Sequence, residues 1–375
     1  MTNTFLTPSI IAKEALRQLS STLVMGGLVY RGYDKEFRKV GSSITIRKPP
    51  VFTVRDVVAD KADAGLVTQN ITEEGVTLTV TEHKYIRFAV GSAEKAMSLE
   101  DLAVQVIRPA ILPLAEYIDA FLAGLYTGIP YHYGTAGTTP DSLDDLAGIG
   151  QVLADNKCPT DDIALVVNPA CQAKLWPVMA AMNVQKANAV NEALARAQMG
   201  LINNMNTYMD QNIQAHTAGT LDAGALATGT AGASTIAIAA GGNEGTFLKG
   251  DVFTITGSTQ QFVVTASKTA NSSGVIASVP IYPELPAGFS PSGAAVTLVA
   301  THKANLAFHR NAIAFATAAL EAPEGGARGE TLTMNNMTAR VIYAWDNDAL
   351  ADTITIDMLF GGAVIYPEMA AVLLG

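Results

Sequence analysis

Ser98-Leu-Glu-Asp101-Leu-Ala-Val-Gln105-Val-Ile-Arg108-Pro109-Ala-Ile-Leu-Pro113-Leu-Ala-Glu116-Tyr-Ile-Asp119-Ala-Phe-Leu-Ala-Gly-Leu-Tyr-Thr-Gly128-Ile-Pro130 is the stretch on which the fold turns. Leu102, Val106, Ala110, Leu114, Ile118, Phe121 and Leu125 recur at helical spacing and mark one apolar face. Ser98 with Asp101 has the form of a capping box, and Gly128 followed by Pro130 stops the run. At a rise of 1.5 Å per residue, the element over 98–128 spans roughly 40–45 Å. Pro109 and Pro113 lie inside it, four apart, so the carbonyls of Gln105 and Pro109 lose their partners on one side. The helix is expected to kink or split there, which makes the two prolines candidate hinge residues.

Upstream, Thr7-Pro8 reads as an N-cap and first helical residue, with Ile10, Ile11, Ala15, Leu16 and Leu19 following at helical spacing. From Gly41 the period becomes two. Ser43-Ile-Thr-Ile-Arg47, Val76-Thr-Leu-Thr-Val80 and Tyr85-Ile-Arg-Phe-Ala89 alternate, the last two joined by the turn-like Glu82-His83-Lys84. Between the first two runs lies a polar segment carrying Arg55, Asp56, Asp60, Lys61 and Asp63. Residues 47–87 hold 12 charged side chains in 41 positions, about twice the chain average, with both signs mixed. An extended strand arm with an irregular tip fits, and a loop of that length calls for a function. A solvated hairpin is the plain alternative.

Downstream, helix and strand signals alternate: Asp141 to Asp155 as a capped helix, Ile163–Val167 as a buried strand, Asn168-Pro169 opening a helix that Trp176-Pro177 interrupts, and Asn191 to Met199 as a further helix. Asn206–Met209 reads as a strand. After His216 the composition changes: residues 217–301 contain six charged side chains in 85, with 12 Gly. Their apolar runs are short and recur about every ten residues, the mark of a small all-β module. The earlier style returns near His302. Strands are expected at Asn305–His309, Ala312–Ala316, Ala339–Trp345 and Thr353–Phe360, with Gly361-Gly362 bending the chain into a last strand at Ala363–Tyr366. The fold class is α+β, with the β module read as inserted into a host domain.

Composition narrows the function. The 375 residues are 49% hydrophobic and only 15% charged, against about 25% charged in an average protein. A net charge of −10 argues against a protein whose main task is gripping nucleic acid. No basic region precedes an apolar block at the N-terminus, so no signal peptide is expected, and no run is long enough to span a membrane. Cys158 and Cys171 exclude a disulfide framework and a cysteine-only zinc site; both read as small buried hydrophobes. Nucleotide-binding, nucleophile-elbow and metalloprotease motifs are missing, the five histidines lack ligand spacing, and Asp346-Asn347-Asp348 lacks the Gly and Glu of a calcium loop. Catalytic residues, cofactor and metal are therefore each expected to be none, and the protein not an enzyme.

The order of parts resembles the major capsid proteins of tailed bacteriophages with the HK97 fold, in particular the P22-like coat group with an inserted β-barrel domain. Thr7-Pro-Ser-Ile-Ile-Ala12, Gly41-Ser-Ser-Ile-Thr-Ile-Arg47-Lys-Pro49, Asn206-Thr-Tyr-Met209, Lys249-Gly-Asp-Val-Phe253 and Asn305-Leu-Ala-Phe-His309-Arg-Asn-Ala312 carry the likeness. It implies an N-terminal arm at 1–40, an E-loop and strand arm at 41–90, and a spine helix of a peripheral domain at 98–128. It further implies an axial domain at 141–216 and 302–375, and an inserted β-barrel-like domain at 217–301.

The implied function is self-assembly into the icosahedral shell around double-stranded DNA, through a precursor shell that expands on packaging. Arg47, Arg55, Asp56, Asp60, Lys61 and Asp63 would then set inter-subunit register. The implied partners are hexamers and pentamers of the chain itself, a scaffolding protein, a portal protein, a decoration protein, and DNA held weakly and non-specifically. The implied location is the virion capsid, assembled in the bacterial host cytoplasm without a membrane. A different class of protein, a monomeric adhesive or carbohydrate-binding molecule built on the β module, is the alternative.

Overall fold

The computed structural model describes residues 8–33, 43–49, 52, 54, 68, 71, 74–90, 103–183, 200–221, 225–239, 245–321, 323, 328–346 and 351–375. Its secondary structure is α+β. The helix Pro8–Thr22 buries Ile11, Ala12, Ala15, Leu16 and Leu19, the face its spacing dictates. A short helix, Met25–Leu28, follows.

The long element has three helical forms in succession. A wide π turn covers Ala103–Ile107, an α-helix runs Arg108–Ala123, and a tight 3-10 segment closes it at Gly124–Gly128. The wide turn ends at the residue preceding Arg108-Pro109, where the missing N–H of Pro109 removes a bond from the regular ladder. Pro109 and Pro113 both face solvent, so the carbonyls they leave unpaired are open to water. Ile111, Leu114, Ala115, Ile118 and Leu122 line the opposite, buried face. The capping box at Ser98 lies outside the described residues.

Two sheets flank this helix. In the first, of five strands, Ala351–Val364 is the central member. It pairs antiparallel with Met337–Asp346, with Ile313–Ala318 and, over nine residues, with Glu82–Val90; Arg328–Met334 pairs with Met337–Asp346. Ile354, Ile356, Met358, Val341, Phe315 and Phe360 point at the long helix and at Pro8–Thr22, forming the largest core. Each such side chain contributes about 1.5–3 kcal/mol on burial.

The second sheet, of seven strands, runs in the order His132–Tyr133, Ala370–Leu374, His302–His309, Ile163–Val167, Met205–Met209, Leu201–Ile202, with Ala215–His216 also on His302–His309. Ile163–Val167 is buried along its whole length because both faces are covered. Ala164 and Val166 join the large core, while Leu165 and Val167 pack with Leu146, Ile149, Leu153, Cys171 and Leu175 from the helices Leu143–Asp155 and Pro169–Asn183.

Between Ala215–His216 and His302–His309 six strands close a barrel. Leu226–Thr228, Thr235–Ala239, Val275–Tyr282, Gln261–Val264, Val252–Ile255 and Ser292–Leu298 follow one another around it, every pairing antiparallel. Phe247, Phe253, Phe262, Ile236, Ile238 and Val264 fill a core of its own.

Several local expectations are corrected. Gly361-Gly362 does not bend the chain: Ala351–Val364 is one strand, and the last strand is Ala370–Leu374. A Cβ on Gly361 would lie 2.8 Å from the Cα of Val80, so glycine serves close approach there. Glu82–Lys84 is strand, not turn, because its cross-strand partners Met358–Phe360 extend the ladder that far. That strand belongs to the five-stranded sheet, as do Ile313–Ala318, Arg328–Met334, Met337–Asp346 and Ala351–Val364, beside the long helix. Pro177 does not end its helix, which continues to Asn183. Asn191 to Met199 lies outside the described residues.

Candidate assembly surface: the arm and the joints that aim it

Ser43–Lys48 and Glu74–Thr79 form a two-stranded antiparallel arm in unbroken register from Ser43 opposite Thr79 to Lys48 opposite Glu74. Alternation decides what each strand buries. Ile46 and Leu78 turn inward and, with Val80, pack on Ala314, Ala316, Ala318 and Leu359 of the five-stranded sheet. Arg47 turns outward and is exposed, opposite Gly75. Arg55, Asp56, Asp60, Lys61 and Asp63 lie outside the described residues.

Polar bonds fix the root of the arm. Asp357, buried in the sheet, accepts from Arg340 Nε at 3.1 Å and Nη2 at 2.5 Å and lies 2.9 Å from His83 Nε2. Arg87 Nη2 donates to Asp346 at 2.7 Å. Glu82 accepts from Tyr117 of the long helix at 3.0 Å and pairs with Lys84 at 3.1 Å. Strand 82–90 is thereby held to both sheet and helix.

At the other end of the long helix lies a buried relay. Tyr126 Oη is 2.7 Å from His216 Nδ1, and His216 Nε2 is 2.8 Å from Asp251 Oδ1. Burial, with the charge of Asp251, pushes the Tyr126 hydroxyl up to about 12, so the phenol keeps its proton. The Asp251 carboxylate can only accept, so His216 Nε2 carries a hydrogen and donates to it. Asp251 also accepts from the backbone of Leu248 at 2.6 Å and of Gly219 at 3.1 Å. The relay joins the helix end, the strand entering the barrel and a barrel turn. Two further bonds brace the barrel: Gln261 bonds both backbone groups of His132, at 2.9 and 3.2 Å, and Tyr282 donates to Glu368 at 2.5 Å.

Acid, imidazole and hydroxyl in sequence are the groups of a nucleophilic relay, yet Tyr126, His216 and Asp251 are 8%, 4% and 0% exposed, which leaves a substrate no approach. His132 is pushed down to about 4 by burial and is neutral at pH 7. Burial pushes the Cys158 and Cys171 thiols up to about 11 and 12, so neither is a ready thiolate. Among the described residues no group of three or more His, Cys, Asp or Glu is placed to hold a metal ion.

Asp119, on the buried face of the long helix, carries no motif that marks it in the sequence. It accepts from the backbone N–H groups of Val24 at 2.8 Å and Gly26 at 3.0 Å, tying helix Met25–Leu28 to the long helix. Burial pushes its carboxyl from 3.8 up to about 6; the two N–H groups oppose this and the charge of Asp210 adds to it. Between pH 3.8 and about 6 the folded chain therefore holds a proton that the unfolded chain has lost. Stability from this group is present below pH 3.8 and lost as pH rises through 6. The expected contribution is a fall of about 3 kcal/mol across that window, absent from Asp119→Asn, in urea titrations at each pH. A parent and variant with the same slope would refute it.

No protein-family model matches the chain, and no curated protein matches it. Solved structures do. A structure from Mycobacterium phage Che8 is similar over 94% of this chain and 90% of that one, at 16% identity and a TM-score of 0.51. The asymmetric unit of the bacteriophage PhiM1 mature capsid matches over 94% and 86%, at 11% identity and a TM-score of 0.47. The capsid structure of cyanophage P-SCSP1u matches over 90% and 85%, at 12% identity and a TM-score of 0.45. At such identities the first of these likenesses is one of fold alone, running through nearly the whole of both chains.

Proposed function

We propose that this chain is the major capsid protein of a tailed bacteriophage, assembling with copies of itself into the shell that encloses double-stranded DNA. The observation that carries the reading is the fold likeness to a phage structure over 94% of the chain. The two-stranded arm, which packs Ile46 and Leu78 on the five-stranded sheet, supports it. So does the low charge, since the centres of protein interfaces are depleted in charged residues.

In this reading residues 1–40 are the N-terminal arm, 41–90 the E-loop and strand arm, and 98–128 the spine helix. Residues 141–216 with 302–375 supply the axial part, and 217–301 form an inserted domain of the P22-like kind. The closed barrel with its own core supports that last assignment. Arg47, Arg55, Asp56, Asp60, Lys61 and Asp63 set the register of neighbouring subunits. Hexamers and pentamers build a precursor shell in the host cytoplasm with scaffolding and portal proteins, and a decoration protein binds outside. DNA is contacted weakly, in keeping with the net charge of −10. The chain performs no catalysis.

The adhesive-module reading is disfavoured by the relay and the Gln261 and Tyr282 bonds, which build the barrel into the rest of the chain. Negative-stain microscopy and size-exclusion chromatography of the expressed protein are expected to show shells or capsomers, alone or with scaffold. A monomer at every concentration with scaffold supplied would overturn the proposal. Pro109→Ala with Pro113→Ala is expected to change the extent of shell expansion while moving the subunit's unfolding midpoint little, because both sites face solvent. Unchanged expansion would remove the hinge.

A further inference from the structure

Of the polar braces that hold the barrel, the relay and the Gln261 bonds each stand on a buried histidine. His216 sits between Tyr126 and Asp251, and His302 lies opposite it in the neighbouring strand. The two imidazole rings are tilted by 40° with centroids 5.3 Å apart. His302 Nδ1 is 2.8 Å from the Ala300 carbonyl oxygen, which can only accept, so Nδ1 carries a hydrogen and Nε2 is where a second proton would enter. His132 receives the Gln261 bonds through its backbone, and its Nδ1 lies 3.4 Å from the Pro130 carbonyl. All three imidazoles are buried.

A positive charge entering this cluster finds little to balance it. The Asp251 carboxylate already accepts from His216 and from the N–H groups of Leu248 and Gly219. Tyr126 keeps its proton and brings no negative charge. Lys249 and Lys303, beside the cluster in sequence, are exposed to water. Burial holds His302 below its ordinary 6.5; the Ala300 carbonyl opposes this, the charge of His216 adds to it, and Asp251 opposes it again. Burial pushes His132 down to about 4, with the Pro130 carbonyl opposing and His302 adding. Two imidazoles in contact are costly to charge together where water is excluded.

We propose that these histidines form an acid-released latch: protonation of His302 and His132 frees the barrel from the end of the long helix and from the seven-stranded sheet, while each part stays folded. The barrel has a core of its own and need not unfold on release. The latch belongs to the single chain and holds whatever the chain assembles into. In the released joint both imidazoles regain an ordinary value of 6.5, whereas in the closed joint they lie lower, so the released form binds more protons between those limits. The latch is therefore closed above pH 6.5 and weakens as pH falls toward 4, by up to about tenfold in the opening equilibrium per pH unit for each histidine. Asp119 acts with the opposite sign, stabilising as pH falls through about 6, so global unfolding masks the latch and a local measurement is needed.

Hydrogen exchange of the full-length chain, read by mass spectrometry and corrected for the intrinsic rate at each pH, is that measurement. Between pH 7 and pH 5 the amides of Gly219 and Leu248, which close on Asp251, are expected to lose roughly tenfold or more in protection. Those of Thr235–Ala239, paired within the barrel, are expected to lose less than about threefold. In the variant His132→Gln with His302→Gln, the loss at the joint is expected to shrink to less than about threefold. Should that variant misfold, the parent labelled with ¹³C-histidine keeps the test usable: two imidazoles are expected to take up their protons below pH 6.5, over the range in which the joint amides lose protection. Joint amides as protected at pH 5 as at pH 7 would overturn the proposal. Equal losses in joint and barrel would mean that the chain opens as a whole, and would overturn it too. An undiminished loss in the folded variant would assign the release to other groups and remove these histidines from it.

Discussion

Gly361→Ala is expected to destabilise the subunit by roughly 3 kcal/mol or more, the upper range of overpacking costs. The sign is informative, because alanine in a strand is ordinarily the better residue by about 0.5–1 kcal/mol. A Cβ at this position would lie 2.8 Å from Val80 Cα and 2.9 Å from the Thr79 carbonyl carbon. Both are backbone atoms at the root of the arm, so no rotamer change relieves the clash; either the arm lifts from the sheet or the strand shifts. Gly362→Ala is the internal comparison. Its Cβ would meet Phe121 at 3.1 Å and Leu125 at 3.2 Å, side-chain atoms able to give by a few tenths of an ångström, as well as the Ala314 carbonyl oxygen at 3.3 Å. A cost of about 1 kcal/mol is expected there. Urea unfolding of the unassembled subunit measures both. Equal midpoints for Gly361→Ala and the parent would show that the arm does not cross the strand as closely as described.

Asp251→Ala is expected to cost about 3–5 kcal/mol, the range for breaking a buried charged network by removing one partner. Truncation orphans the buried His216 Nε2–H and the part-buried backbone N–H groups of Leu248 and Gly219 at once. Tyr126→Phe removes only the last link of the relay and is expected to cost about 1 kcal/mol. The double variant should cost less than the sum of the two, since an imidazole that has lost its carboxylate no longer holds a fixed orientation toward the phenol. Thermal unfolding followed by near-ultraviolet absorbance reads all three. A mild loss for Asp251→Ala would mean that the barrel joint is wet and only loosely held.

What the sequence makes legible follows the range of the interaction. The two prolines act on carbonyls four residues away, so the break in the long helix is visible in the text of 98–130. The barrel strands are bounded by turns every ten residues, and each turn is local chemistry. Glu82–Val90 is different. Its alternation identifies a strand, but its nearest sequence neighbour, Glu74–Thr79, is not its partner; it pairs with Asp352–Phe360, some 270 residues later. Ala370–Leu374 is a five-residue apolar run buried on both faces, with no alternation to distinguish strand from helix. The candidate surface was less legible than the fold. Charge density pointed to the arm, whereas the bonds beside its root join His83 to Asp357 and Arg87 to Asp346, positions that no spacing rule connects. Lys249-Gly-Asp251 reads as an ordinary turn, and only the structure places its carboxylate against His216.

His216 and His302 stand opposite each other in adjacent antiparallel strands, so the chain leaves the seven-stranded sheet and re-enters it through neighbouring positions. Residues 217–301 leave and return through that seam. Recombination at the two flanking codons can graft, trim or exchange the whole barrel without shifting the ladder on either side of the cut. Its price is the Gln261, Tyr282 and Asp251 bonds that a replacement must remake.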